Sequence, residues 1–309
     1  MGVSATILIT TKDRKEELRR ALQSAMGQIG ATEILVFDDG STDGTGEMIR
    51  KSFPGVRYER SERSLGIVGA RNRAVSLANG SIVVTIDDDC VFGSPHTVAQ
   101  TLDDFRDAGI AAVAIPHIQV NGSPIVYCLA PQRDRAFAIS EFTGCASAVR
   151  RDVFLQLGGF RSALWRQGEE SDFCTRLLEV GFFTCCGTAD PILHRESLSR
   201  DRGLMAFHFV RGNLLYVWYN VPFPYALPHF AVTALRVICN GIRSGNGGRA
   251  FSGALSALQE MVRDRRSRKP VRANVYRLVR QLRRKGPIPV ELVRKRLSTE
   301  SRPSDQLTA

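Results

Sequence analysis

Residues 80–89 read Gly80-Ser81-Ile82-Val83-Val84-Thr85-Ile86-Asp87-Asp88-Asp89. A short apolar run rich in β-branched residues predicts a buried strand, and the three carboxylates that end it cannot follow it into a core. The same arrangement occurs upstream, where the strand predicted over Glu33–Phe37 stops at Asp38-Asp39-Gly40-Ser41-Thr42-Asp43-Gly44. Around these two landmarks, Thr6–Thr10 predicts a first strand. Asp13 with Glu16 reads as a capping box opening a helix that runs to Met26. A helix to about Lys51, a short strand over Val56–Glu59 and a helix over Ile67–Ala78 closed by Asn79-Gly80 complete the first 90 residues. Strands and helices alternating at this spacing predict an α/β chain: a mostly parallel sheet with helices on both faces.

Farther along, Ser94-Pro95 predicts a helix start and Ile110–Ile115 a strand, and residues 116–135 read as irregular. Glu141–Val149 reads as a strand and Arg151–Leu157 as a short helix ending at Gly158-Gly159. A helix is predicted over Glu169–Val180, then a strand over Phe182–Cys186. From Gly203 the pattern changes to apolar-aromatic helices interspersed with Arg, and after Gly286 to a polar tail expected to be disordered. The expected division is thus 1–203, 204–285 and 286–309.

The 309 residues, 43% apolar and 24% charged, exclude a collagen, a disulfide scaffold and a wholly disordered chain. Charge is unevenly distributed. Residues 1–200 hold 22 basic against 25 acidic side chains, whereas residues 201–309 hold 20 against 6. Seven cysteines without a CxxC pair, and no recognisable leader, lead us to expect reduced thiols. The longest apolar stretch, Val221–Leu235, is broken by Pro222, Pro224 and Pro228 and is not expected to span a membrane.

Both acidic clusters follow strands, and in an open parallel sheet ligands sit in the crevice beyond the carboxyl ends of the strands. Crowded carboxylates repel one another, and a hard divalent cation relieves that cost through oxygen ligands. Asp87-Asp88-Asp89 therefore suits Mg²⁺ or Mn²⁺ with positions left for phosphate oxygens. A single such cluster would read equally well as a solvated loop; two at neighbouring strand ends favour a common cleft.

The segments ATILITTKDR (5–14), ILVFDDGSTDGT (34–45), GIVGARNRAV (66–75), GSIVVTIDDDC (80–90), GCASAVRRDVFLQLGGF (144–160), GEESDFCTRLLEVG (168–181) and ILHRES (192–197) resemble, in order and separation, the family-2 nucleotide-sugar glycosyltransferases. That resemblance implies a nucleotide-binding sheet of the A-type glycosyltransferase fold, a nucleotide-diphosphate sugar donor and Mg²⁺ or Mn²⁺ as cofactor. It implies that Thr11 and Asp38 contact the nucleotide base, that Asp39 shapes that pocket, and that Arg71 faces a phosphate or base carbonyl. Asp87, Asp88 and Asp89 would form the DxD motif, Asp87 near the ribose and metal-bound water and Asp89 on the metal, with His194 completing that site. Glu170 stands where the family has its catalytic Asp, and would take the acceptor proton in an inverting transfer. Its place in a helical first turn is expected to favour the ionised form. The family's Pro-x-Tyr/His-Asn-Arg is replaced by Thr11-Lys12-Asp13-Arg14, which leaves the base-stacking partner open.

Gly144, Gly158 and Gly159 read as positions needing positive φ or close approach. Trp165 suits stacking on an acceptor sugar or core packing equally, and Asp172 with Arg176 suggests an i,i+4 ion pair. The basic aromatic segment 204–262 predicts either association with an anionic membrane surface or a helical subdomain on the sheet. The tail resembles those of rhamnosyltransferase-like members acting on lipid-linked glycans. The expected partners are accordingly a nucleotide-sugar donor, a glycan or lipid-linked acceptor and an anionic membrane surface, with no nucleic acid. The expected location is cytoplasmic, peripheral on the inner face of the plasma membrane. Two alternatives are a sugar-phosphate nucleotidyltransferase, which calls for a Gly-rich loop that residues 10–14 lack, and a degenerate non-catalytic binding protein.

Overall fold

The computed structural model describes residues 4–122, 125–195 and 201–299. The first half alternates as anticipated: β1 (Ala5–Thr11), α1 (Lys15–Ala25), β2 (Ala31–Asp38), α2 (Thr45–Ser52), β3 (Arg57–Arg60), α3 (Gly66–Leu77) and β4 (Ile82–Asp87). There follow β5 (Cys90–Phe92), α4 (Thr97–Asp103), β6 (Ile110–Ala114), β7 (His117–Gln119), β8 (Val126–Tyr127), β9 (Phe137–Ala138) and β10 (Ala146–Arg150). The chain continues through α5 (Arg151–Gln156), α6 (Glu169–Glu179), β11 (Phe183–Cys186) and β12 (Ile192–His194). Four long helices come next, α7 (Arg202–Asn220), α8 (Ala226–Arg243), α9 (Gly247–Arg263) and α10 (Ala273–Lys285), then β13 (Ile288–Pro289) and α11 (Val290–Thr299).

Nine strands form one sheet in the order β13-β9-β11-β6-β10-β4-β1-β2-β3, and β5-β12-β7-β8 form a second. β3, β2, β1 and β4 are mutually parallel, while β10 runs antiparallel between β4 and β6. Register positions the site. Thr10 is opposite Asp87 and Thr11 opposite Asp38, so the acidic ends of β2 and β4 flank the end of β1 at one level. In the small sheet His194 is opposite Cys90, which brings the chain after β12 alongside the Asp87–Asp89 turn, and Arg195 N–H donates to the Asp89 carbonyl at 2.9 Å.

Several local expectations are corrected. Asp13 does not cap α1: it lies at φ 51°, and its carboxylate accepts from Thr42 N–H at 2.7 Å. The α1 amide of Lys15 is instead satisfied by Asp43, from the loop after β2, at 2.9 Å. α3 ends at Leu77 without a left-handed glycine cap. Gly80 is required because β1 passes so close that a Cβ would meet Thr6 N at 2.4 Å. The strand expected over Glu141–Val149 forms only from Ala146, because residues 142–145 turn around Gly144 to admit side chains. Residues 116–135, read as irregular, contribute β7 and β8 to the small sheet. The disordered tail is also corrected: β13 pairs with β9, and Ile288, Val290 and Val293 are buried in the core shared with the main sheet. Residues 300–309 of that expected tail lie outside the described residues.

α7, α8 and α9 pack around their own buried cluster of Val210, Leu214, Leu215, Val237, Ala257 and Met261. α10 rests on the sheet through Val275, Leu278, Val279 and Leu282. No helix among the described residues is long and apolar enough to cross a membrane. α6 is fastened to this layer by a fully buried carboxylate. Asp172 accepts from Arg176 (the anticipated i,i+4 partner) at 2.8 Å, from Arg161 at 2.9 Å and from Asn220 of α7 at 2.8 Å. Removing that carboxylate strands two partly buried guanidinium groups. Asp172→Ala is expected to lower stability by about 3–5 kcal/mol in urea titration, whereas Lys51→Ala, which breaks an exposed pair with Glu47, should leave the midpoint in place.

Candidate active site

A cavity of about 430 Å³ opens over the carboxyl ends of β1 and β4. Thr11, Asp39, Asp87, Asp88 and Asp89 line it, with Lys12, Arg14 and Arg166 as cations and Asp201, Leu204 and Met205 at the start of α7 forming the far wall. The sequence had placed the DxD turn and Thr11 here, but not the α7 wall. That wall comes from a segment that reads as a separate helical region, and no local signal ties it to the sheet.

The three adjacent aspartates divide their tasks as a turn requires. Asp88 points inward, accepting from Thr11 Oγ1 at 2.8 Å and from Arg14 at 2.7 Å. Burial, then the neighbouring Asp87 and Asp89, push its carboxyl up to about 7 despite Arg14 and Thr11. Arg14 also donates to Asp89 at 3.0 Å, so one guanidinium spans two members of the cluster. Sequence reasoning had noted Arg14 only as part of a departure from the family pattern. Its position three residues beyond β1, at the strand end shared with the acidic turns, was the available signal.

Asp87, Asp89 and His194 place one ligand atom each within 4.8 Å of one another. Asp89 Oδ1 and both ring nitrogens of His194 are buried with no hydrogen-bond partner among the described residues, and His194 Nε2 lies 3.3 Å from that Asp89 oxygen. An orphaned carboxylate oxygen of Asp89 and an unpartnered imidazole, with the Asp87 carboxylate in reach, fit a divalent cation. Cys90 and Cys145 flank His194 on its other side, completing a second buried group of close donor atoms.

Arg71 does not line the cavity. Its side chain is buried among acidic groups of the chain itself. It donates to Asp87 Oδ1 at 2.7 Å and to the Gly144 carbonyl at 3.2 Å, and its other terminal nitrogen lies 3.6 Å from Glu169 and 3.8 Å from Glu170. One guanidinium therefore joins the DxD turn to the first turn of α6. Gly144 makes room for it: a Cβ there would stand 2.4 Å from Glu170 Oε1 and 2.6 Å from Arg71. Gly158 and Gly159 have positive φ, as anticipated.

Of the two glutamates, Glu170 keeps 19% of its side chain exposed and Glu169 only 3%, which makes Glu170 the one able to meet a solvent-borne group. Burial, and then repulsion by Glu169, raise the Glu170 carboxyl well above the ordinary range, with Arg71 opposing. Glu169 is also raised, by burial foremost. The helix terminus expected to favour ionisation is thus outweighed by desolvation. A carboxyl raised in this way is a stronger base once ionised.

The nucleotide-side expectations divide. Thr11 and Asp39 border the cavity, but Asp39 also accepts from Ser64 Oγ and from the Leu65 and Gly66 amides at 2.6–3.1 Å, capping α3. Asp38 is not brought to the cavity. It is fully buried, accepting from the Ser41 amide at 2.7 Å and the Tyr58 hydroxyl at 2.6 Å, and it holds the β2 loop in shape. Trp165 is half-exposed, its ring above Gly66 at the mouth of α3, and is not a core residue.

Comparison with known proteins bears on the family and the fold. Residues 6–158 match the Glycosyl transferase family 2 model. A succinoglycan biosynthesis protein of Rhizobium meliloti, ExoU, is 32% identical over 217 residues, 62% of this chain. The hyaluronan synthase of Pasteurella multocida is 35% identical over 109 residues, 34% of this chain. The chain spans 63% of the length of the first relative and 11% of the second. Among solved structures, a mannosyltransferase of Pyrobaculum calidifontis in complex with GDP-Man and Mn²⁺ superposes with a TM-score of 0.58 at 17% identity, covering 83% of this chain and 87% of that one. TarS of S. aureus superposes with a TM-score of 0.59 at 14% identity, covering 96% and 91%. The fold is that of the A-type glycosyltransferases, and residues 6–158 form a glycosyl transferase family 2 domain.

Proposed function

We propose that this chain is an inverting, metal-dependent glycosyltransferase that moves a sugar from a nucleotide-diphosphate sugar to a glycan or lipid-linked acceptor. The observation that carries this is the single network in which Arg71 links the Asp87–Asp89 turn to Glu170. It brings a leaving-group site and a proton acceptor to one guanidinium, Asp87 on the cavity wall and Glu170, still 19% exposed, behind that wall. The curated relative named for succinoglycan biosynthesis favours a polysaccharide-building role.

Thr11 and Asp39 are suited to contact the nucleotide, and Lys12, Arg14 and Arg166 offer positive charge to its diphosphate. Asp87, Asp89 and His194 would hold Mg²⁺ or Mn²⁺, which when bound supplies charge neutralisation for a leaving diphosphate. Glu170 takes the proton of the acceptor hydroxyl as that oxygen attacks the anomeric carbon. The bond from that carbon to the diphosphate oxygen breaks on the opposite face, so configuration inverts. Arg71 compensates the carboxylates that must stay ionised together, and Glu169 keeps Glu170 strongly basic.

The outer faces of α8 and α9 favour work at an anionic membrane surface. Phe251, Leu255, Leu258 and Val262 form an exposed apolar stripe on α9, and Leu227, Leu235 and Ile242 are exposed on α8. Exposed Arg243, Arg249 and Arg263 lie among them. Apolar area with interspersed cations is the pattern of an interfacial helix surface.

Glu170→Gln should lower kcat by about 10²–10⁴-fold with nucleotide affinity nearly unchanged. Asp89→Asn, or a chelator with the unaltered protein, should weaken donor binding; undiminished transfer by Glu170→Gln would remove the assigned base. The pH dependence follows from the direction of the shift. Because Glu170 must be ionised and is raised, kcat/KM should fall as pH drops through a value above the ordinary 4.5, and Glu169→Gln should move that limb downward. For the membrane surface, flotation with phosphatidylglycerol vesicles should carry the protein at low salt and release it at high salt; failure to float at low salt would reject that part.

A further inference from the structure

A second cavity lies apart from the one over the aspartates. About 780 Å³ lies between α8 and α10, and its lining shares no residue with the candidate active site. Arg236 of α8 and Arg277, Arg280, Arg283 and Arg284 of α10 line it, and among the described residues no acidic side chain does. From outside the cavity, Glu141 approaches Arg283 at 3.6 Å. Like charges held this close repel one another unless an anion offsets them.

The floor of the cavity is built. The Tyr276 hydroxyl lies 3.1 Å from His229 Nδ1 and accepts from Arg280 at 3.4 Å, while Arg283 stacks on the Tyr216 ring at 4.4 Å. These contacts fix the headings of two arginines, which lowers the entropy cost of gathering them around a ligand. Burial foremost, and then the charges of Arg280, Arg283 and Arg236, push His229 down to about 4. Planar guanidinium groups converging from two helices match phosphate oxygens in charge and geometry. At the rim, Val232 leads to the exposed Leu235 one turn on, so an apolar surface begins where the cations end.

We propose that this cavity is a second anion site, separate from the donor site, which takes a phosphate-bearing group such as a diphosphate, either free or as the headgroup of a lipid whose chains lie along α8. The site does not depend on the transferase activity. Its lipid-borne form rests on the membrane reading above, and the two fail separately.

The test uses inorganic pyrophosphate and phosphatidylglycerol vesicles as probes, in EDTA and in an Asp89→Asn background, so that the donor site contributes little. The triple variant Arg236→Gln/Arg280→Gln/Arg284→Gln removes charge from the cavity. Arg20→Gln/Arg50→Gln/Arg73→Gln removes the same charge from exposed positions of α1, α2 and α3, away from the helical layer, and Arg284→Gln alone guards against a folding defect. Calorimetry should show pyrophosphate affinity at least tenfold weaker in the cavity triple, a smaller loss in Arg284→Gln, and less than a twofold change in the control triple. Selective loss of pyrophosphate binding identifies a soluble phosphate ligand. Selective loss of vesicle binding alone identifies a lipid headgroup. Equal behaviour of the two triples in both assays would overturn the site, even if the protein still floats with anionic vesicles.

Discussion

The candidate site depends on one buried guanidinium. Arg71 lies in the middle of α3, far in sequence from Asp87 and farther from Glu170, yet its side chain touches both. A buried carboxylate cluster needs compensating positive charge from within the protein if it is to stay ionised, and a buried arginine needs acidic partners for the same reason. The requirement is mutual. It explains why α3, the Asp87–Asp89 turn, the Gly144 loop and the first turn of α6 converge, although no two of them are sequence neighbours. It also explains why Gly144 has no side chain: the space a Cβ would fill is occupied by the groups that meet there.

The alternating architecture was readable because it rests on local signals. Apolar runs ending in acidic turns fix where β2 and β4 stop, and the shared level of their ends follows from parallel pairing. The position of the Asp87–Asp89 turn was readable for the same reason, whereas Glu170 stood out only through the family resemblance. Less accessible was which partner each polar group would choose. Asp13 looks like a cap in sequence, but Asp43 reaches the same helix from another loop. Asp38 looks like a ligand contact, but the backbone of its own turn and Tyr58 satisfy it. Arg71 looks like an anion contact, and in the structure carboxylates of the chain itself hold it. In each case a donor or acceptor has several candidates within reach, and only tertiary packing decides among them.

The C-terminal helices illustrate the same limit on a larger scale. Their charge and aromatic content mark them as unlike the sheet, and composition alone invites a division into separate parts. In the structure, Asp201, Leu204 and Met205 close the cavity over β1 and β4. Asn220 binds the buried Asp172 that anchors the α6 helix carrying Glu170. The helical layer and the sheet therefore build one cleft together, while the opposite surfaces of α8 and α9 remain apolar and exposed.

The short strand near the end of the chain bears on self-association. A nine-stranded sheet has two outer rims, and a bare rim invites pairing with a neighbouring molecule. Here β13 covers β9 with a two-residue segment that includes Pro289, whose nitrogen has no hydrogen to donate. The other rim is β3, Arg57-Tyr58-Glu59-Arg60, where charged side chains discourage a second strand from docking. A chain with so large a sheet is thus shielded at both margins against growth into aggregates, leaving its helical faces for encounters with other molecules.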